Sequence, residues 1–556
     1  MTAIDDALTA LRDEQPGATL PGGPLRWGVA DAALRFVGIG GPLGARWQQA
    51  LTELSGCVRV VGGTGDAGTG AAGTGAAGTG DAILVEGGAY PGAWVESTAS
   101  ISVEVLARFA PDVARATHLR VASHARDDGL LPYKVTDAGP AFSQIQMVTP
   151  LARTVWNTFL LGGGTDLDYL RTMYDALAAH DAWLARHRDT RGTGGVEAFC
   201  TFDTGHDASP RFWGVPDRCF TGDAARFDPA HPTLPFVAPD LTANVAAQRR
   251  YLARMARTLG DDARTWEARA AASTSALLAQ CLADDGRYYD RDARGELRRV
   301  VSDVILRVYE AEHGDDVEFA AALERDLLNT RRFLSVAGLT SLAMDDPRFS
   351  GDASRNSWGG PVNLLSAIRA AHAFEVHGRV AEHALVATAT LTALATADRF
   401  PQCLDPFSGE AGYTKAYSPA LLFFLDQLER SCGILPRPDG TLWFSGLTPT
   451  RLEHGAAADA VAASRRVGTS RFAIAGDDER VVVERDGQRL LEFPRGWRVE
   501  ADATGTPVAV VGLAAAPVAG ELATASGTTP LTLNPNDRVD LATGVRATPG
   551  FTAPVF

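Results

Sequence analysis

Between residues 95 and 435 apolar side chains recur with a period near 3.6, in stretches separated by loops that carry Gly, Pro and aromatic residues. The pattern predicts helices over Ile101–Phe109, Pro150–Leu160, Asp166–His187, Leu241–Leu259, Arg264–Leu282, Asp303–His313, Val317–Leu328, Pro361–His377, Ala381–Ala397 and Ser418–Cys432. So many helices in one block, joined as antiparallel pairs, suit a closed ring of helical hairpins better than a four-helix bundle. Residues 1–94 instead mix turns with short apolar runs, 58–61 and 82–85, as in small β structure; between them residues 62–80 form a Gly-Thr-Gly near-repeat with no core-forming side chains, expected to be a flexible loop. After Pro436 the pattern changes again. The runs 471–475, 480–485, 488–493 and 508–511 alternate or stay apolar between turn residues, which predicts a C-terminal β-sandwich-like domain over 436–556.

At 556 residues the chain has room for about three units, and 46% hydrophobic with 21% charged residues is a globular composition. Its 52 Lys+Arg against 67 Asp+Glu give a net charge of −15 with no basic block, so nucleic acid is not an expected partner. The acidic start Thr2-Ala3-Ile4-Asp5-Asp6 lacks the pattern of a secretory signal, and there is no apolar run of about 18 residues, so no membrane association and a cytoplasmic location are expected. Six cysteines lie scattered, without metal-ligand or disulfide spacing, and are expected to be buried free thiols. The glycine repeat carries no Gly-Lys-Ser/Thr, so neither a nucleotide nor any other cofactor or metal is indicated.

Chemistry concentrates in Phe202-Asp203-Thr204-Gly205-His206-Asp207-Ala208-Ser209-Pro210-Arg211-Phe212-Trp213. Two carboxylates four residues apart, a histidine between them and a following Arg-Phe-Trp suit a sugar site, which needs a proton donor, polar groups for hydroxyls and aromatic faces for the ring. The same residues also read as an Asx-type turn at Asp203 and a helix N-cap at Ser209.

This stretch resembles the W-D-S/T-G-M-D-N-S-P-R signature of the (α/α)6-barrel glycoside hydrolases of family 63, which include mannosylglycerate and glucosylglycerate hydrolases, and more distantly the family 37 trehalases. Further similarities follow in order: Asp128-Gly129-Leu130-Leu131-Pro132-Tyr133 resembles D-G-L-L/I-P-S-Y, Ser143-Gln144 the start of S-Q-P-P, Asp285 to Asp290 the family's D-x-x-G-x-Y-Y-D, Ser357 to Val362 its Y-W-R-G-P-V-W, and Asp405 to Glu410 its D-P-x-T-G-E. The resemblance implies a mainly α chain: an (α/α)6 barrel over 95–435, flanked by the small N-terminal β-containing segment and the C-terminal β domain.

It also implies inverting hydrolysis of a small sugar-type substrate, with Asp207 as general acid and a glutamate three residues before the D-P-x-T-G-E aspartate as general base. Here that position is Gln402, and Gly359 replaces the arginine of Y-W-R-G-P. An amide can orient water but cannot take its proton. Three readings remain open: Glu410 or Asp405 replaces the base; the acid serves a non-hydrolytic elimination, rearrangement or cyclisation; or the chain binds a saccharide without turning it over. Candidate ligand contacts are Asp203, His206, Arg211, Trp213, Tyr133, Gln144, Trp358, Lys415 and Tyr417, with Arg211 equally able to pair Asp203.

Overall fold

A computed structural model of the chain describes residues 2–61, 81–146, 149–449 and 458–556. The glycine repeat of 62–80 lies outside the described residues.

Six inner helical segments follow one another through the central region: Ser97–Ser102 continuing into Val103–Leu106, then Leu151–Leu161, Pro239–Leu259, Val304–Glu310, Leu364–Val376 and Ser418–Cys432. Each packs on the next, and the last packs back on the first. Pro239–Leu259 shows how the sequence sets such an element. Proline at its start tolerates the missing amide, Asp240 complements the helix dipole in the first turn, and Gly260 at φ 80° terminates it. Leu167–His187, Arg264–Cys281 and Val380–Thr396 lie against these inner helices from outside.

Three differences from the predicted elements have physical reasons. Pro111–Ala122 is a helix that the periodicity did not single out, because its polar residues dilute the apolar stripe of Val113, Ala114, Thr117, His118 and Val121. The stretch predicted as Ile101–Phe109 begins inside a π-helical turn, Ser97–Ser102, and that predicted as Val317–Leu328 contains one, Leu323–Leu327; each slips the i→i+4 register by one residue.

The N-terminal segment sets the helices Ala3–Asp13, Pro24–Asp31 and Leu43–Gly56 beside the short strands Arg35–Ile39, Val58–Val60, Ala82–Leu84 and Ala93–Trp94. Thr2 caps Ala3–Asp13 in a capping box with Asp5, and Ile4, Ala7, Leu8 and Leu11 align on one face at helical spacing. That face buries against Ala460, Ala462, Ala475 and Val482 of the C-terminal region. The strand Arg35–Ile39 pairs antiparallel with Ala460–Val467 as the edge of a seven-stranded sheet, while Leu43–Gly56 packs on Ser418–Cys432. Tertiary pairing thus distributes residues 1–94 between the two larger parts.

In the C-terminal region this sheet and a six-stranded one share a core of Ile434, Phe444, Phe472, Ile474, Val483, Trp497, Val499 and Val510. The alternation of apolar residues places one face of each strand in that core. No helix among the described residues is long and apolar enough to cross a membrane.

Candidate active site

A cavity of about 220 Å³ opens at one end of the inner helices, smaller than the roughly 300 to 1,000 Å³ of drug-sized sites and so suited to a small ligand. Loops around residues 86–97, 133–146, 202–207, 356–365, 402 and 417 converge on it.

Asp207 reaches the cavity because its loop is anchored on both sides. Before it, the buried Asp203 carboxylate accepts hydrogen bonds from the amides of Ile145 (3.0 Å) and Phe199 (2.7 Å) and from both terminal nitrogens of Arg188 (2.5 and 3.0 Å). After it, Arg211 is clamped between Asp240 and Asp290, with four N–H···O contacts of 2.8 to 3.0 Å. Between these anchors the chain turns through Gly205 at φ 64° and Ala208 at φ 58°. Glycine at 205 is required by contact as well as conformation: a Cβ there would stand 2.2 Å from a carboxylate oxygen of Glu96.

The Asp207 carboxyl is buried. Asn356 donates to Oδ2 at 2.5 Å, while Oδ1 has no hydrogen-bond partner among the described residues. Burial pushes its pKa up to about 7, against the opposing influence of the Asn356 hydrogen bond. A carboxyl poised near neutrality with a free oxygen can donate a proton.

His206, next in the loop, faces away from the cavity. Arg211 Nη1 can only donate, so His206 Nδ1 accepts from it (2.6 Å), and Nε2–H points to Asp303 (3.1 Å). Burial, with Arg307 beside it, depresses its pKa to about 3, so the ring is neutral and structural. It packs on Trp358 at 4.7 Å between centroids.

The other predicted residues divide. Tyr133, Gln144, Trp358, Gln402 and Tyr417 line the cavity with Asp207. Asp203 and Arg211 are buried anchors of the loop and do not pair with one another; Asp203 takes Arg188, and Arg211 takes Asp240 and Asp290. Trp213 is 55% exposed and outside the lining, and Lys415 is likewise exposed outside it. Glu410 lies exposed in a separate surface hollow with Arg399 and Thr396. Asp405 caps a turn through the amides of Phe407 and Ser408. Neither carboxylate reaches the cavity, because the chain turns outward after Leu404.

Several lining residues were not foreseen: Glu86, Tyr90, Trp94, Glu96, Arg218 and Asn356. Tyr90-Pro91-Gly92-Ala93-Trp94-Val95-Glu96 carried a usable signal, two aromatic rings and an acid around a Pro-Gly turn just before the first inner helix. Lys134 stacks over Trp94 at 4.3 Å, and Tyr90 donates to Gln402 Oε1 at 2.6 Å.

All six cysteines are buried and free. Cys200, Asp203 and Cys219 cluster, with the two sulfurs 3.5 Å apart. Arg188 already satisfies both Asp203 oxygens there, and its positive charge opposes a metal cation.

Comparison with known proteins places this geometry. The chain is similar in fold to the family 63 mannosylglycerate hydrolase of Thermus thermophilus. In its complex with Tris and D-glycerate the TM-score is 0.54 at 18% identity, over 69% of this chain and 99% of that one. In its complex with glucose the TM-score is 0.52 at 19% identity, over 62% and 95%. A structure titled sialidase aligns with 90% of this chain and 45% of its own at TM-score 0.59 and 13% identity. At these identities the likeness is one of fold. No curated protein sequence matches the chain. Residues 90–418, more than half of the chain and the stretch that carries nearly all of the cavity wall, match the mannosylglycerate hydrolase MGH1-like glycoside hydrolase domain, and the chain therefore belongs to that family.

Proposed function

We propose that this chain is a glycosidase of the inverting family 63 type, acting on a small sugar or sugar-like substrate with Asp207 as general acid, and that its inner and outer helices form an (α/α)6 barrel. The observation that carries the reading is the Asp207 carboxyl: buried at the cavity, held through one oxygen by Asn356, free at the other, and poised near pH 7. It would protonate the glycosidic oxygen as the bond to the anomeric carbon breaks. Trp94, Tyr133 and Trp358 supply aromatic surface for a sugar ring, and Gln144 and Gln402 supply amide groups for its hydroxyls. Lys134 and Arg218 on the wall favour a ligand with an acidic substituent, and the Thermus relative was solved with glucose and with D-glycerate.

The test is release of reducing sugar from a panel of small glycosides. Turnover abolished by Asp207→Asn in a folded protein supports the reading; turnover indifferent to that change overturns it.

The amide at Gln402 favours a second reading, acid-catalysed chemistry without an activated water. It predicts an Asp207-dependent product that incorporates no oxygen from labelled water.

A further inference from the structure

Inverting hydrolysis needs a second carboxyl group to take a proton from the attacking water, and the Gln402 amide cannot do so. Three carboxyl groups line the cavity among the described residues: Glu86, Glu96 and Asp207. Glu86 is consumed by its neighbours, since the hydroxyls of Ser97, Thr98 and Tyr417 all donate to it. Glu96 is not.

The Oε1 atom of Glu96 accepts no hydrogen bond among the described residues, and its side chain keeps 9% exposure on the cavity wall. The guanidinium groups of Arg307 and Arg369 stand 3.9 and 4.0 Å from that oxygen, near enough to favour the anion without occupying its lone pairs. Glu96 directly precedes the π-helical turn Ser97–Ser102, a distortion found frequently at functional sites. Its carboxyl lies against Gly205, two residues before Asp207. Two residues of chain span at most about 7 Å. With the Asp207 side chain added, that reach is compatible with the roughly 6.5 to 9.5 Å between the carboxyl groups of inverting enzymes.

We propose that Glu96 is the general base of this enzyme, replacing the glutamate absent at position 402. The inference rests on the reading of Asp207 as the acid. Glu96 takes a proton from water as the water oxygen bonds to the anomeric carbon. The glycosidic bond breaks with its electron pair passing to the leaving oxygen, which takes the proton of Asp207. Sugar and alcohol leave, and a proton passing through solvent from Glu96 to Asp207 restores the starting state.

The groups facing Glu96 are Arg307 and Arg369, which favour its charge, and Asp207, Glu86 and Tyr417, which do not. Burial dominates and pushes Glu96 up to about 8, beside Asp207 at about 7. Just above neutrality the pair shares one proton, which rests mainly on Glu96; the form that reacts, with Asp207 protonated and Glu96 ionised, is roughly a tenth of that state.

The experiment compares Glu96→Gln, Glu96→Ala and Asp207→Asn in the full chain, on a glycoside the enzyme turns over and on the matching glycosyl fluoride, whose leaving group needs no acid. The expected result is a loss of about 100- to 10,000-fold for both Glu96 variants on both substrates. Asp207→Asn should be impaired on the glycoside and far less on the fluoride. Azide, a nucleophile that needs no base, should restore turnover of Glu96→Ala and yield a glycosyl azide of inverted configuration. Glu96→Gln within tenfold of the native rate overturns the base assignment, as does a folded, inactive Glu96→Ala that azide does not revive. An active Asp207→Asn on the glycoside would overturn the acid assignment instead.

Discussion

The phenol of Tyr90 donates a 2.6 Å hydrogen bond to Oε1 of Gln402, which fixes the orientation of an amide on the cavity wall. Removing that hydroxyl lets the amide rotate. Tyr90→Phe is expected to weaken substrate binding by about 3- to 10-fold, in keeping with one hydrogen bond worth roughly 1 kcal/mol, while kcat falls less. Steady-state kinetics with separate kcat and KM check this; an effect confined to kcat would contradict it.

Asp207 is expected to cost stability where it gains function. Its folded pKa is near 7, above the ordinary 3.8 of an aspartate. Below pH 3.8 both folded and unfolded forms are protonated and no penalty exists. Between 3.8 and 7 the unfolded chain ionises first, so stability falls as pH rises, by roughly 4 kcal/mol at most. Asp207→Asn removes this term. Its melting temperature should exceed that of the native protein at pH 8, and the difference should shrink toward pH 4; equal differences at both values would rule out the buried, protonated carboxyl.

Arg211 holds Asp240 and Asp290 with all of these groups buried. Arg211→Met would leave the Asp290 carboxylate without its ion-pair partner and Asp240 with Arg307 alone, at a cost of about 3 to 5 kcal/mol. Thermal or chemical denaturation should show that loss, and any residual activity should reflect the folded fraction.

Glu410 lies exposed outside the cavity. Glu410→Gln is expected to change kcat/KM by less than about twofold, because removal of a solvated surface charge away from the site carries little energy. A larger loss would put the replacement base on the Asp405–Glu410 turn.

His206 is neutral with a pKa near 3, so no histidine beside Asp207 titrates between pH 5 and 8. The pH–rate profile should be bell-shaped with limbs near 7 and 8, set by the Asp207 and Glu96 pair. Glu96→Gln should remove the rising limb, since it leaves one titrating carboxyl in place of two; an unaltered profile would refute the pairing.

Local elements and the family were legible in the order of residues alone. Period 3.6 marked the central helices, alternation marked the C-terminal strands, and the Phe202–Arg211 signature located Asp207, because each of these is written in the spacing of neighbouring residues. Which polar residues line the cavity was decided by packing. Asp203, His206 and Arg211 stand beside Asp207 in sequence but point into a buried ion-pair lattice whose other members, Arg188, Asp240, Asp290 and Asp303, come from distant segments. Glu410 follows Gln402 by only eight residues, yet the outward turn after Leu404 removes it from the cavity. Glu96, more than 100 residues before Asp207, arrives there because a glycine at 205 lets its carboxyl touch the signature loop. Periodicity records which face of an element is buried; what a buried carboxylate meets depends on side chains brought from elsewhere in the chain.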